Sequence, residues 1–216
     1  MVRGTLIFGK GLDMYVIGIT GGVGSGKSYA AHRLQEKLGA TLLIADELGH
    51  VVMEPGRSAY CQIVEHFGQN IVSSDGSIDR AALAEIVFSD ARARDWLNQV
   101  IHPAVIEYIR DTIHQNRTRS GILLIETALM YETGCDSLCD EVWLVYVPEE
   151  ERIRRLASDR GYSEQKSKSI IQSQISETLL REKVQRIVPN DGTKEDLERA
   201  LDALLTTLDT TALGKG

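Results

Sequence analysis

The chain has 216 residues, enough to bury one sizeable core with room for an inserted subdomain. Its formal net charge of -7 argues against a surface for nucleic acid, yet is compatible with a local basic patch for a small anion. Cys61, Cys135 and Cys139 form no even set and no metal-binding double pair, and no apolar run approaches the ~18 residues needed to span a bilayer. A disulfide scaffold and a membrane protein are therefore excluded, and a cytoplasmic chain with reduced thiols is expected.

Residues 1–13 carry three glycines, no clear period and no secretory pattern, so they read as an appendage, with Met14 as a candidate start. Tyr15-Val16-Ile17-Gly18-Ile19-Thr20 is a short apolar run that reads as a strand. Gly21-Gly22-Val23-Gly24-Ser25-Gly26-Lys27-Ser28 then fits G-x-x-x-x-G-K-[ST], a loop whose glycines let successive backbone N–H groups turn inward on a polyphosphate. In this pattern Lys27 reaches the β and γ phosphates and Ser28 offers its hydroxyl to Mg²⁺. Ala30, Leu34 and Leu38 recur every four residues behind it, which completes the strand, loop and helix that the motif requires. The plainer alternative is a glycine-rich turn that binds nothing.

Thr41-Leu42-Leu43-Ile44-Ala45 reads as a second buried strand delivering Asp46 at its carboxyl end, the ligand edge of an open α/β sheet. Asp46 is then either a functional acid or the N-cap of the following helix. From about 47 to 120 the pattern is helical, too long for a simple crossover, and so predicts a subdomain; Pro103 suits the first turn of a helix that starts after the one around Trp96. Asn116-Arg117-Thr118 matches a glycosylation sequon, which without a secretory signal carries no meaning.

Ile122-Leu123-Leu124-Ile125, ending at Glu126, and Val142 to Val147 read as central strands covered on both faces. Glu126 is either a metal or water ligand or a polar strand terminus, and Glu132 divides similarly. Glu149 to Ser158 is a helix with acids first and Arg152, Arg154 and Arg155 later, an arrangement that matches the helix dipole and favours a solvated end over a phosphate clamp. Ser163 caps a predicted long polar helix to about Gln185. Ile187-Val188-Pro189 is a last strand, Asn190-Asp191-Gly192 a turn, and Leu197, Leu201, Leu204 and Leu205 mark a closing amphipathic helix.

Together these stretches resemble the dephospho-coenzyme A kinase family from about Met14 to Leu205. The pieces that carry it are Ile19 to Ser28, Ala45-Asp46, Glu54-Pro55-Gly56, His66-Phe67-Gly68, Asp75-Gly76-Ser77-Ile78-Asp79-Arg80, Val87-Phe88-Ser89, His102-Pro103 and Asn190-Asp191-Gly192. The loop is shared by many nucleotide enzymes; the others, in this order, are far more specific. The family's Asp-Ala-Asp is here Ile44-Ala45-Asp46, its Pro-Leu-Leu-Phe-Glu is Ala128-Leu129-Met130-Tyr131-Glu132, and its lid Arg-Asp-Gly is Asp159-Arg160-Gly161.

The resemblance implies an α/β P-loop kinase fold: a five-stranded parallel sheet flanked by helices in one domain, 14–205, with an inserted helical substrate subdomain at about 47–120 and a lid at about 155–175. It implies ATP and Mg²⁺ as cofactors, dephospho-CoA as the phosphoryl acceptor, and a monomer or weak homo-oligomer. Gly21, Gly22, Val23, Gly24, Ser25, Gly26, Lys27 and Ser28 would hold the phosphates, Ser28 the metal, and Asn190 would lie near adenine. Asp46 would act as base and Arg160 or Arg155 as the lid cation. Asp46, Phe88, His102, Pro103, Tyr131 and Glu132 would meet the acceptor. From the residues alone His102 is equally a satisfied buried histidine. Another P-loop small-molecule or nucleotide kinase and a silent nucleotide-binding module remain the alternatives.

Overall fold

The computed structural model describes residues 14–116 and 121–208. The expected appendage 1–13 and the sequon residues Arg117 and Thr118 lie outside them. The chain divides into two compact units, one holding the described residues up to Ile44 and from Gln115 onward, the other Ala45–His114.

In the first unit β1 (Tyr15–Thr20) leads through the glycine loop into α1 (Lys27–Leu38) and then β2 (Thr41–Ile44). The second unit contains α2 (Ala45–Val51), α3 (Ser58–Phe67), α4 (Arg80–Ser89) and most of α5 (Ala91–Asn116). The chain then returns to the first unit through β3 (Ile122–Glu126), β4 (Glu141–Tyr146), α6 (Glu149–Arg160), α7 (Glu164–Gln172), α8 (Glu177–Lys183), β5 (Arg186–Pro189) and α9 (Lys194–Thr206).

The sheet has five strands in the order β2-β3-β1-β4-β5, and every pair is parallel. β1, β3 and β4 are apolar at nearly every position and lie at the centre, as strands covered on both faces must. After β1 the chain goes to one side for β2 and β3, then crosses to the other for β4 and β5. The carboxyl end of β1 is thus flanked by strands reached in opposite directions, the place where open α/β sheets leave a crevice. Ile17, Ile19, Leu34, Leu124, Trp143, Val145, Leu197 and Leu201 belong to one buried cluster packing α1 and α9 against this sheet. Truncating a residue such as the fully buried Leu34 to alanine costs about 2–5 kcal/mol. The second unit has its own core of Ile63, Ile71, Ile78, Leu83 and Leu97, with His66 stacked on Trp96 at 3.6 Å between ring centroids.

Three elements differ from the sequence reading. The two helices expected around Trp96 and Pro103 are one, α5, with Pro103 in its interior. A proline there removes one N–H and crowds one turn, and the buried Leu97, Val105 and Ile109 on both sides keep the helix continuous. The long helix expected from Ser163 to Gln185 breaks at 173–176, where Ser173 Oγ donates to the Ile170 carbonyl and Ser176 accepts the Leu179 N–H as a new N-cap. Serines that satisfy backbone groups locally compete with helix continuation. β2 ends at Ile44, so Ala45 and Asp46 open α2, where an acid in the first turn suits the helix dipole.

α9 starts with a capping box, Thr193 and Asp196, and is fastened to α1 by ions. Glu198 accepts from Arg33 Nε and pairs with Lys37 Nζ at 2.8 Å. The Arg33 hydrogen bond, then that of Lys37, holds its carboxyl down at about 2, below the usual glutamate value. A depressed carboxyl contributes stability that is present above its unfolded value of ~4.3 and is lost as pH falls through the folded value. The side chain is a quarter exposed, so screening limits the gain to ~1 kcal/mol. Glu198→Gln should therefore lower the thermal midpoint by ~2–4 °C at pH 7, the difference vanishing towards pH 2, as scanning calorimetry at both pH values will read.

Candidate active site

Loop 21–26 leaves β1 and ends at Gly26, which caps α1 in a left-handed conformation, φ 79° and ψ 20°, with no side chain closing the helix N-terminus. The first turn of α1 contains no acid, so its backbone N–H groups and the positive end of the dipole are suited to an anion. A side chain at Gly26 would be strained at that φ and would collide with the Asn190 carboxamide. Asn190 Nδ2 donates to the Ser25 carbonyl at 2.8 Å, and Arg155 donates to the Asn190 carbonyl at 2.7 Å while its Nε reaches Glu151 at 3.1 Å.

A cleft of about 450 Å³ opens here. Gly24, Gly26, Lys27, Ser28, Arg155, Arg160 and Asn190 line it together, so seven residues singled out in the sequence meet on one surface. Tyr29, Thr193 and Lys194 also line it, and sequence reasoning missed them; Asp159, which lines it too, was read only as part of the lid triplet. Tyr29 merely continues the loop motif by one residue, and Lys194 follows the Asn-Asp-Gly turn; adjacency to a motif was the available signal. Four cations against one acid make the cleft basic within an acidic chain.

Glu126, which closes the otherwise apolar β3, is 3 % exposed. Ser28 Oγ donates to its Oε2 at 3.1 Å, and Lys27 Nζ lies 3.7 Å from its Oε1. Glu126 thus closes the strand and also engages the side chains of Lys27 and Ser28. A hydroxyl and a carboxylate side by side are hard oxygen donors suited to Mg²⁺, an ion that takes one or two protein oxygens and completes its shell with phosphates and water. Among the described residues there is no cluster of three or more His, Cys, Asp or Glu that could hold a metal ion.

Gly21, Gly22, Val23 and Ser25 form the body of the loop, where the Ser25 N–H donates to the Gly22 carbonyl at 3.1 Å. Arg152, read from sequence as part of a solvated helix end, is instead buried beneath the loop, 8 % exposed, with its Nε donating to the Val23 carbonyl. No periodicity marked it, because it lies one turn before Arg155 on the same polar-looking helix. Tyr131 and Glu132 follow β3 in the first unit but do not line the cleft. The Tyr131 hydroxyl is buried without a hydrogen-bond partner, and burial, then Asp136 and Cys139, pushes it up to about 12.

The remaining predicted residues belong to the second unit. Asp46 is exposed in the first turn of α2, and Phe88 on α4 is 93 % exposed. His102 is half-buried and Pro103 exposed, both in α5.

The family model of dephospho-CoA kinase matches residues 15–196. The dephospho-CoA kinase of Carboxydothermus hydrogenoformans is 38% identical over 202 residues, 91% of this chain and 94% of that one. That of Shouchella clausii is 38% identical over 194 residues, 88% of this chain and 98% of the other. The solved dephospho-CoA kinase of Campylobacter jejuni superposes with a TM-score of 0.70 over 91% of this chain and 98% of its own; at 22% identity it speaks for the fold alone. A glycine loop on the middle strand of a parallel sheet, a basic cleft over it and full-length likeness at this level have one reading: the chain belongs to the dephospho-CoA kinase family.

Proposed function

We propose that this chain transfers the γ-phosphoryl group of ATP to the ribose 3'-hydroxyl of dephospho-CoA, giving coenzyme A and ADP. The observation that carries the reading is the basic cleft in which Lys27, Ser28 and Arg160 converge at the uncapped N-terminus of α1. Phosphoryl transfer needs positioning and charge neutralisation more than covalent help. The acceptor oxygen bonds to the γ phosphorus as the bond from phosphorus to the β,γ-bridging oxygen breaks, and the hydroxyl proton goes to a carboxylate.

Loop 21–28 presents its N–H groups to the polyphosphate, and Lys27 supplies a point charge to the β and γ groups. Ser28 with Glu126 would hold Mg²⁺, which when bound neutralises phosphate charge. Asp46 is the proton acceptor: it is exposed, it comes two residues after the end of β2, and Ile44 leaves no second acid in that motif. Arg160, exposed at the end of α6 and lining the cleft, is the lid cation; Arg155, engaged by Glu151 and Asn190, holds the loop and cleft wall instead. Phe88, exposed on α4, is assigned to the acceptor-binding surface by the family resemblance. His102, Pro103, Tyr131 and Glu132 complete the set assigned to dephospho-CoA, and Asn190 to the adenine side of ATP.

A coupled assay for ADP release should show turnover that depends on both ATP and dephospho-CoA; release independent of the acceptor would overturn the reading. In the same assay Asp46→Asn should lose ~10²- to 10⁴-fold in kcat while ATP affinity by titration changes little. Near-normal turnover removes Asp46 from the mechanism, and lost ATP affinity recasts it as a metal ligand. Arg160→Ala should lower kcat at saturating ATP by ~10-fold or more, whereas Arg155→Ala should act mainly on the ATP KM; the reverse ranking exchanges their roles.

A further inference from the structure

Arg152 is a guanidinium that the fold has taken out of water and placed against main chain. Its Nε donates to the Val23 carbonyl at 2.8 Å and its Nη2 donates to Gln174 Oε1 at 3.1 Å. The same Gln174 oxygen accepts the Val23 N–H at 3.0 Å. Both polar groups of Val23, in the middle of the glycine loop, are therefore held by one arginine and one glutamine, which also hold each other.

Gly22 makes this possible, because any side chain there would occupy the space of the Arg152 guanidinium. Burial lowers the pKa of Arg152, against the attraction of Glu177 and Glu149, so the arrangement is kept despite a desolvation cost. The planar fork of arginine suits it, since two N–H groups point at two acceptors in fixed geometry. Gln174 lies in the break between α7 and α8, 151 residues beyond Val23, so the loop is tied to the segment that the sequence places at the end of the lid. Arg152 and Gln174 do not line the cleft, and their polar groups engage the Val23 peptide and each other.

We infer that Arg152 and Gln174 are positioning residues for ATP, a clamp on the Val23 peptide that fixes the loop in the shape that receives the phosphates. Fixing one peptide in a run of glycines removes conformations that ATP would otherwise have to select against, which improves binding without a direct contact. The inference rests on the assignment of loop 21–28 to ATP.

The test is steady-state kinetics of Gln174→Ala, Arg152→Lys and the double variant, each with KM for both substrates and a thermal midpoint, beside Lys27→Ala. Gln174→Ala, in a partly exposed segment, keeps the fold accessible to measurement if the buried Arg152→Lys does not fold. The ATP KM should rise about tenfold in either single variant, with the dephospho-CoA KM within about twofold. Because both side chains act on one peptide, the double variant should be little worse than the worse single one. An ATP KM within twofold of the parent in Gln174→Ala, or equal shifts in both KM values that follow the loss of thermal midpoint, overturns the clamp while Lys27→Ala stays inactive. Parent-like turnover in Lys27→Ala overturns the loop assignment itself, and the clamp with it.

Discussion

A carboxylate at the end of β3 has to be compensated, and much of the glycine loop's placement follows from how that is done. Glu126 is almost wholly buried, and an ionised group there without partners costs several kcal/mol. Lys27 and Ser28 supply part of the compensation, so the first turn of α1 is fastened to the strand beside β1. With Thr20 fixed in the sheet at one end and Lys27 fixed on Glu126 at the other, the intervening glycines have only a short span in which to arrange their N–H groups. The charge that steadies the lysine is thus a neighbour of the position proposed for the phosphates.

Closing the loop's geometry falls to residues far along the chain. Asn190 grips Ser25 across 165 residues, and Arg152 and Gln174 grip Val23. These bonds exist only once β4 has been laid beside β1 and β5 beside β4, so local sequence supplies the glycines and tertiary structure supplies their conformation. Loop-closure entropy must be met before such contacts form, and the apolar strands Val142–Val145 and the buried Leu156 and Val188 are what meet it.

What the sequence disclosed follows the same division. β1, β3 and β4 were legible because buried parallel strands are apolar at every position, and the loop because its spacing has a stereochemical reason. Gly24, Gly26, Lys27 and Ser28 of the cleft came from the loop motif next to β1. The continuity of α5 was hidden because a proline that normally opens a helix is here overruled by packing on both sides. The break after Gln172 was hidden because serine reads as helix-neutral until its hydroxyl finds a backbone partner. Arg152 was hidden for a different reason: a cation on a helix rich in charge looks solvated, and only the folded loop shows that its guanidinium fills the space left by the missing side chain at Gly22.

The outer strands of the sheet are short and differ in character from the inner ones. β2 and β5 have four residues each, with Thr41 exposed at one end of β2 and Pro189, which has no N–H to donate, at the end of β5. A parallel sheet with long apolar borders would offer a template on which another chain could add a strand during folding or at high concentration. Short borders, with a proline at one of them, give an incoming strand few backbone partners. The consequence is resistance to runaway strand addition, obtained at the rim and therefore without cost to the apolar interior that supports the loop.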